Sequence, residues 1–262
     1  MNSINIQRRL ALWAGAVALT ALTACGGGGG GGTGGACGGA TPIPGTPTTF
    51  SGTVARGAPL VGATVIISAA NGQTISAVTN AQGAYTTGNL VTTFPVVAVA
   101  SQGGITLRSI GFGGGSVNAT PLTELLTAAV LAASSTSSTP LTLSQFAAKV
   151  ATDSTFAANV SSPAAVATYR TAVIAVVTNA INNNPALSAE AKAAALAGFQ
   201  AATTGNFESA PFVIGDAADR ALDAIGPTIL SADGNVKAEV VAQAVAAGNA
   251  LPTPPSGGTG AQ

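Results

Sequence analysis

Between Phe50 and Ile110 apolar and polar residues alternate in short runs broken by turn residues. Phe50-Ser-Gly-Thr-Val54 reads as a strand, and Arg56-Gly57-Ala58-Pro59-Leu60 as a turn. Ala63–Ile67 and Gln73–Val78 flank Asn71-Gly72, a dipeptide that accepts the φ > 0 angles of a tight hairpin. A turn at Thr79–Gly83 leads into Tyr85, and Pro95–Ala100 and Ile105–Ile110 complete six or seven short strands. Turn signals at this spacing predict a small antiparallel β-sandwich. Beyond residue 118 the period lengthens to three and four. Leu122, Leu125, Leu126 and Ala129 form one stripe behind Thr120-Pro121, a cap followed by proline at the first helical position. Thr142-Leu-Ser-Gln145 is a capping box ahead of Phe146 and Val150. Ser162-Pro163 opens a helix with Val166, Tyr169, Val173, Val176, Val177 and Ala180 on one face. Helices are also expected over 188–203 (with Leu196 and Phe199), 216–225 and 236–247.

The first residues follow another pattern. A basic start at Arg8-Arg9 precedes an apolar run from Leu10 to Leu22. Roughly a dozen apolar residues fall short of the ~20 that span a bilayer, and suit an export signal. Leu22-Thr23-Ala24-Cys25 follows and resembles the bacterial lipobox. The resemblance implies cleavage between Ala24 and Cys25, a diacylglycerol on the Cys25 thiol, and further acylation (palmitate-type chains) of the new amine. The alternative is ordinary secretion with cleavage near Ala24. Gly26–Gly32 is all glycine, and Thr41-Pro-Ile-Pro-Gly-Thr-Pro47 is rich in proline and threonine. Such a segment has much backbone entropy to lose and little to bury, so a disordered tether is expected, spanning on the order of 27 Å.

Within the β-region, Gly52-Thr53-Val54, then Gly57-x-Pro59-Leu60-x-Gly62-Ala63-Thr64-Val65, then Asn71-Gly72, Thr79, Gly83 and Tyr85 resemble the carboxypeptidase regulatory-like (transthyretin-like) β-sandwich. The match covers roughly 60 residues. It implies a non-catalytic accessory domain within a wider fold group that includes carbohydrate-binding modules. Asn80 stands where that pattern carries Asp. The segment 118–126 resembles, less closely, the helix opening that follows such sandwiches in some bacterial lipoproteins.

The chain is thus expected to be α+β: a signal peptide over 1–24, a lipidated Cys25 and tether over 25–49, a β-sandwich over 50–117, an Ala-rich helical bundle over 118–250, and a disordered tail over 251–262. An Ala-rich bundle with few aromatics buries little area per residue, so docking of the helices against the sandwich is anticipated.

Composition narrows the chemistry. The chain has 9 basic and 9 acidic residues, and only 7% of residues are charged. Loss of Arg8 and Arg9 leaves 7 basic against 9 acidic, which argues against a nucleic-acid partner. The chain contains no His, which excludes a Ser-His-Asp triad and His-based metal sites. Cys37 is the one thiol besides Cys25, and reads as an incidental exposed thiol or an intermolecular disulfide. Gly111–Gly115 lacks a phosphate-loop fingerprint and reads as a hinge. Asp216, Asp219 and Asp223 share one helical face and read as a solvated, dipole-favoured stripe, with Arg220 pairing Asp216; the sharper alternative is a cation site. Asp233-Gly234-Asn235 reads as a turn, lacking the later ligands of a calcium loop. Sugar platforms would need exposed aromatics. Trp13 leaves with the signal, Tyr85 and Tyr169 sit on apolar faces, and Phe50, Phe94 and Phe112 remain candidates, with hydroxyls such as those of Thr53, Thr64 and Ser68 as possible sugar partners. A carboxylate-only glycosidase would need two facing acids drawn from Glu124, Glu190, Glu208 and Asp216, since residues 50–112 hold no Asp or Glu.

These features predict a non-enzymatic envelope lipoprotein without catalytic residues, metal or cofactor. Its expected partners are the membrane, through the lipid, and an unidentified envelope protein or glycan. A carbohydrate-binding module is the alternative. Gly26, rather than the Asp associated with inner-membrane retention, implies the outer membrane of a Gram-negative cell.

Overall fold

The computed structural model describes residues 45–257. Ala24, Cys25, Cys37 and the glycine run therefore lie outside the described residues. Among the described residues the order is six strands and then seven helices, so the α+β expectation holds. The strands are β1 (Thr46–Thr53), β2 (Thr64–Ser68), β3 (Thr74–Val78), β4 (Ala84–Thr92), β5 (Val96–Gln102) and β6 (Ile105–Gly111). β1 and β4 form one antiparallel sheet, and β3-β2-β5-β6 form a second. Phe50, Tyr85 and Leu90 from the first sheet, with Val54 just after β1, meet Val65, Ile67, Ala98 and Leu107 from the second in a shared apolar core. Alternation along each strand accounts for this, because successive side chains point to opposite faces.

The β2–β3 hairpin turns at Asn71-Gly72, with Gly72 at φ +81°. Ala69 N–H donates to the Gln73 carbonyl at 2.9 Å, closing the turn. Thr79 Oγ1 then accepts from Ala63 N–H at 2.8 Å and donates to the Leu60 carbonyl, fixing the turn before β2. β1 starts at Thr46, so residues 46–49, assigned above to the tether, are strand paired with β4.

The helices are α1 (Pro121–Ala133), α2 (Leu143–Thr152), α3 (Ser154–Val160), α4 (Pro163–Asn182), α5 (Ala189–Ala202), α6 (Ala217–Ile229) and α7 (Ala238–Asn249). Their starts follow the caps. Thr120 and Thr123 form a reciprocal capping box on α1, Thr142 and Gln145 another on α2, and Ser162 caps α4 ahead of Pro163. Every residue of α1 is buried. Gly248 of α7 lies so close to α1 that a Cβ there would overlap the Ala129 carbonyl. By length and composition α4 could cross a bilayer. Here one face of it is buried, through Val166, Tyr169, Val173, Val176, Val177 and Ile181.

The second sheet and the helices share a second core. Val97 of β5 and Ile110 of β6 turn away from the first sheet and join Leu125, Phe146, Val173 and Ile225. At ~25 cal/mol per Å² this common apolar face contributes to both layers. Residues 251–257, expected to belong to a disordered tail, lie along α3 and α4: Asn159 Nδ2 donates to the Pro255 carbonyl at 3.1 Å, and Gly257 N–H to Asp153 Oδ1 at 3.1 Å.

Candidate functional site

The nine carboxylates occur in the described residues, and most have structural work. Glu124 on α1 faces Arg108 on β6. Its Oε2 accepts from the Arg108 backbone N–H at 2.7 Å, and both oxygens accept from the guanidinium. Asp153 caps α3, and the Phe156 N–H holds its carboxyl below the ordinary value, with the Gly257 N–H adding to it. Glu190 lies in the first turn of α5. Asp216 caps α6 by accepting from Asp219 N–H at 2.9 Å. Asp233 accepts from Ser231 and from Asn235 N–H in a turn, in line with its sequence context.

The acidic stripe on α6 is less wet than its spacing suggests. Asp219 is 4% exposed. Its Oδ2 accepts from Gly215 N–H at 2.8 Å, while Oδ1 has no partner among the described residues. Burial, followed by the Asp219 charge, raises the Asp223 carboxyl above its ordinary value. Arg220 donates to the Gly215 carbonyl at 2.7 Å, whereas the sequence suggested an Asp216 pair. No group of three or more metal-ligating side chains comes together among the described residues.

A second ion pair, Arg170 on α4 with Glu208, was not anticipated. Arg170 Nε donates to Glu208 Oε2 at 2.9 Å and Nη2 donates to Oε1 at 2.7 Å. Glu208 is 4% exposed and lies in the segment between α5 and α6. Asn118 anchors that segment to the sheet. Its Nδ2 donates to the Phe207 and Ala210 carbonyls, its Oδ1 accepts from Thr53 N–H, and its own N–H donates to the Glu208 carbonyl. Thr53 Oγ1 donates to the Phe212 carbonyl at 3.0 Å.

This junction borders an open pocket of about 240 Å³. Phe112 and Ser116 of the glycine-rich segment line it together with Arg170, Glu208, Asn206 and Ser209. The Gly111–Gly115 segment thus makes a pocket wall as well as the connection between β6 and α1. Phe112 stacks on Tyr169 with ring centroids 6.5 Å apart, and burial pushes the Tyr169 hydroxyl up to about 12. A separate apolar pocket of about 40 Å³ lies between Leu122, Phe199, Phe207 and Leu222.

The aromatics singled out for a sugar platform on the sandwich are used in packing. Phe50 is fully buried and meets Phe94 edge-to-face at 6.1 Å. Tyr85 donates its hydroxyl to the Val117 carbonyl at 2.6 Å, and burial raises its pKa. Comparisons with known protein families, curated proteins and solved structures return no match to this chain.

Proposed function

We propose that this is a non-enzymatic, lipid-anchored protein of the bacterial envelope, held through Cys25 and presenting its sheets and helices to another protein or envelope polymer. The observation that carries it is Leu22-Thr23-Ala24-Cys25 directly after an apolar run and before seven glycines. A diacylglycerol plus a further acyl chain, at about 0.8 kcal/mol per buried CH₂, holds a protein firmly at a membrane. Gly26 favours the outer membrane. The resemblance of residues 52–85 to the carboxypeptidase regulatory-like sandwich favours an accessory, non-catalytic domain. The lack of His supports the same side, as do carboxylates engaged in caps and arginine forks.

An interaction role draws support from the outer face of the second sheet. Ile66 and Val78 there are 43% and 64% exposed. β3 is an edge strand without charge or proline, the kind of edge that accepts another strand.

The test is the intact mass of the native protein from fractionated membranes. A chain beginning at Cys25 with acyl chains, lost on Cys25→Ala, is the expected result. A bare mass in the soluble fraction would overturn the anchor, and recovery only in the inner membrane would overturn the placement.

A further inference from the structure

We propose that the pocket between the Gly111–Ser116 segment, α4 and Glu208 binds a neutral, hydroxyl-rich ligand about the size of one sugar ring. Its volume of about 240 Å³ corresponds to roughly eight waters at ~30 Å³ each. That is space for a single polyol ring.

The lining sets the ligand's charge. Arg170 is the pocket's one cation and Glu208 its one anion, and each occupies the other. An anionic ligand would find the Arg170 charge already neutralised by Glu208, and a cation would find Glu208 neutralised by Arg170. What remains is hydrogen-bonding capacity of both kinds. Arg170 Nη1 makes no hydrogen bond among the described residues, nor do the side chains of Ser116, Asn206 and Ser209, while Glu208 Oε2 has a second lone pair. Hydroxyl groups donate and accept at once, so they match such a mixed set. A wholly apolar ligand would leave these groups dry and unpaired. Phe112 supplies the apolar wall against which the C–H face of a ring can lie.

The site is also preorganised. Asn118 fixes the segment that carries Glu208, and the fork fixes the Arg170 rotamer. Binding would therefore cost little rearrangement. The rim at Gly113 is open, and a Cβ built there meets nothing within 4 Å.

The proposal does not rest on the lipid anchor, so an unacylated Cys25 leaves it intact. The experiment is saturation-transfer NMR with calorimetric titration of the full chain, using methyl β-glucopyranoside, N-acetylglucosamine and myo-inositol, with sodium phosphate as the anionic comparison. Saturable binding of at least one of the three at a Kd of about 1 mM or tighter is expected, with phosphate weaker. Gly113→Trp, which covers the rim without touching the ion pair, should weaken binding at least about tenfold while leaving the unfolding midpoint unchanged. Arg170→Lys, which keeps the charge but loses the fork, should also weaken it; if that variant does not fold, Gly113→Trp decides. Absence of saturable binding to all three probes, equal binding by Gly113→Trp, or tighter binding of phosphate would each overturn the proposal.

Discussion

Two Arg–Glu pairs built from the same atoms do different work in this protein. Arg108–Glu124 sits where α1 crosses β6, and its hydrogen-bonding capacity is spent locally. The carboxylate takes the guanidinium and the Arg108 backbone N–H, and Thr123 Oγ1 donates to the Arg108 carbonyl beside it. Further along the strand, Asn235 Oδ1 accepts from Thr106 N–H. The outer edge of β6 is thereby closed by side chains. Arg170–Glu208 also joins two segments, but one flank opens on a pocket and leaves donors and acceptors free. A charged pair saturated by backbone is a joint. The same pair beside unfilled space is a joint that can also recognise something.

That contrast can be broken most severely at Asn118, which precedes α1 and holds the segment carrying Glu208. Asn118→Ala removes three side-chain hydrogen bonds to backbone that is buried or partly buried and should cost about 3 kcal/mol, seen as a lower urea midpoint with unchanged slope. Glu124→Gln should cost about 2 kcal/mol, since one group must replace acceptors for both a guanidinium and a backbone N–H. Glu208→Gln, measured the same way, should cost less, because it disturbs no backbone donor. Equal losses would show that the two pairs are mere equivalents.

Alkaline pH probes the pocket side more gently. Burial raises Tyr169 from its ordinary value near 10 up to about 12, so the folded state holds its proton longer than the unfolded chain does. Stability should be level below pH 10 and fall as the pH rises toward 12, with Tyr85 contributing in the same direction. Tyr169→Phe should flatten part of that decline in urea titrations at successive pH values. Smallest of all, Ser209→Ala should change the unfolding free energy by less than about 0.5 kcal/mol, since its hydroxyl has no partner among the described residues. A larger loss would mean that the pocket wall is structural.

What the sequence announces depends on how local the cause is. The Thr120-Pro121 start, the capping box at Thr142, the Ser162-Pro163 start and the Asn71-Gly72 hairpin are each written within four residues, and all appear at the expected positions. α3 goes unread because seven residues are too few for a period, and because its cap, Asp153, follows α2 directly. The 251–257 segment looks like a tail, since its prolines and small residues have no pattern. It is held by partners at Asn159 and Asp153 that no local motif reveals. The pocket is the extreme case. Arg170 and Glu208 stand 38 positions apart and meet only because Asn118, on a third segment, fixes the connection. No single-residue signal marks that meeting. The one hint was the unusual glycine run at 113–115, whose openness suggested a hinge more readily than a rim.

The fully buried α1 carries a consequence for how the chain is made. None of its residues faces water, and a large part of its cover is α7, which sits against it at Gly248. A polypeptide synthesised or threaded from its N-terminus presents α1 long before α7 exists. Until the last helix arrives, Leu125, Leu126 and Val130 have an incomplete lid. Completion of the helical layer is therefore timed by the emergence of α7, and a chain halted before Ala238 would display the most water-averse helix of the fold.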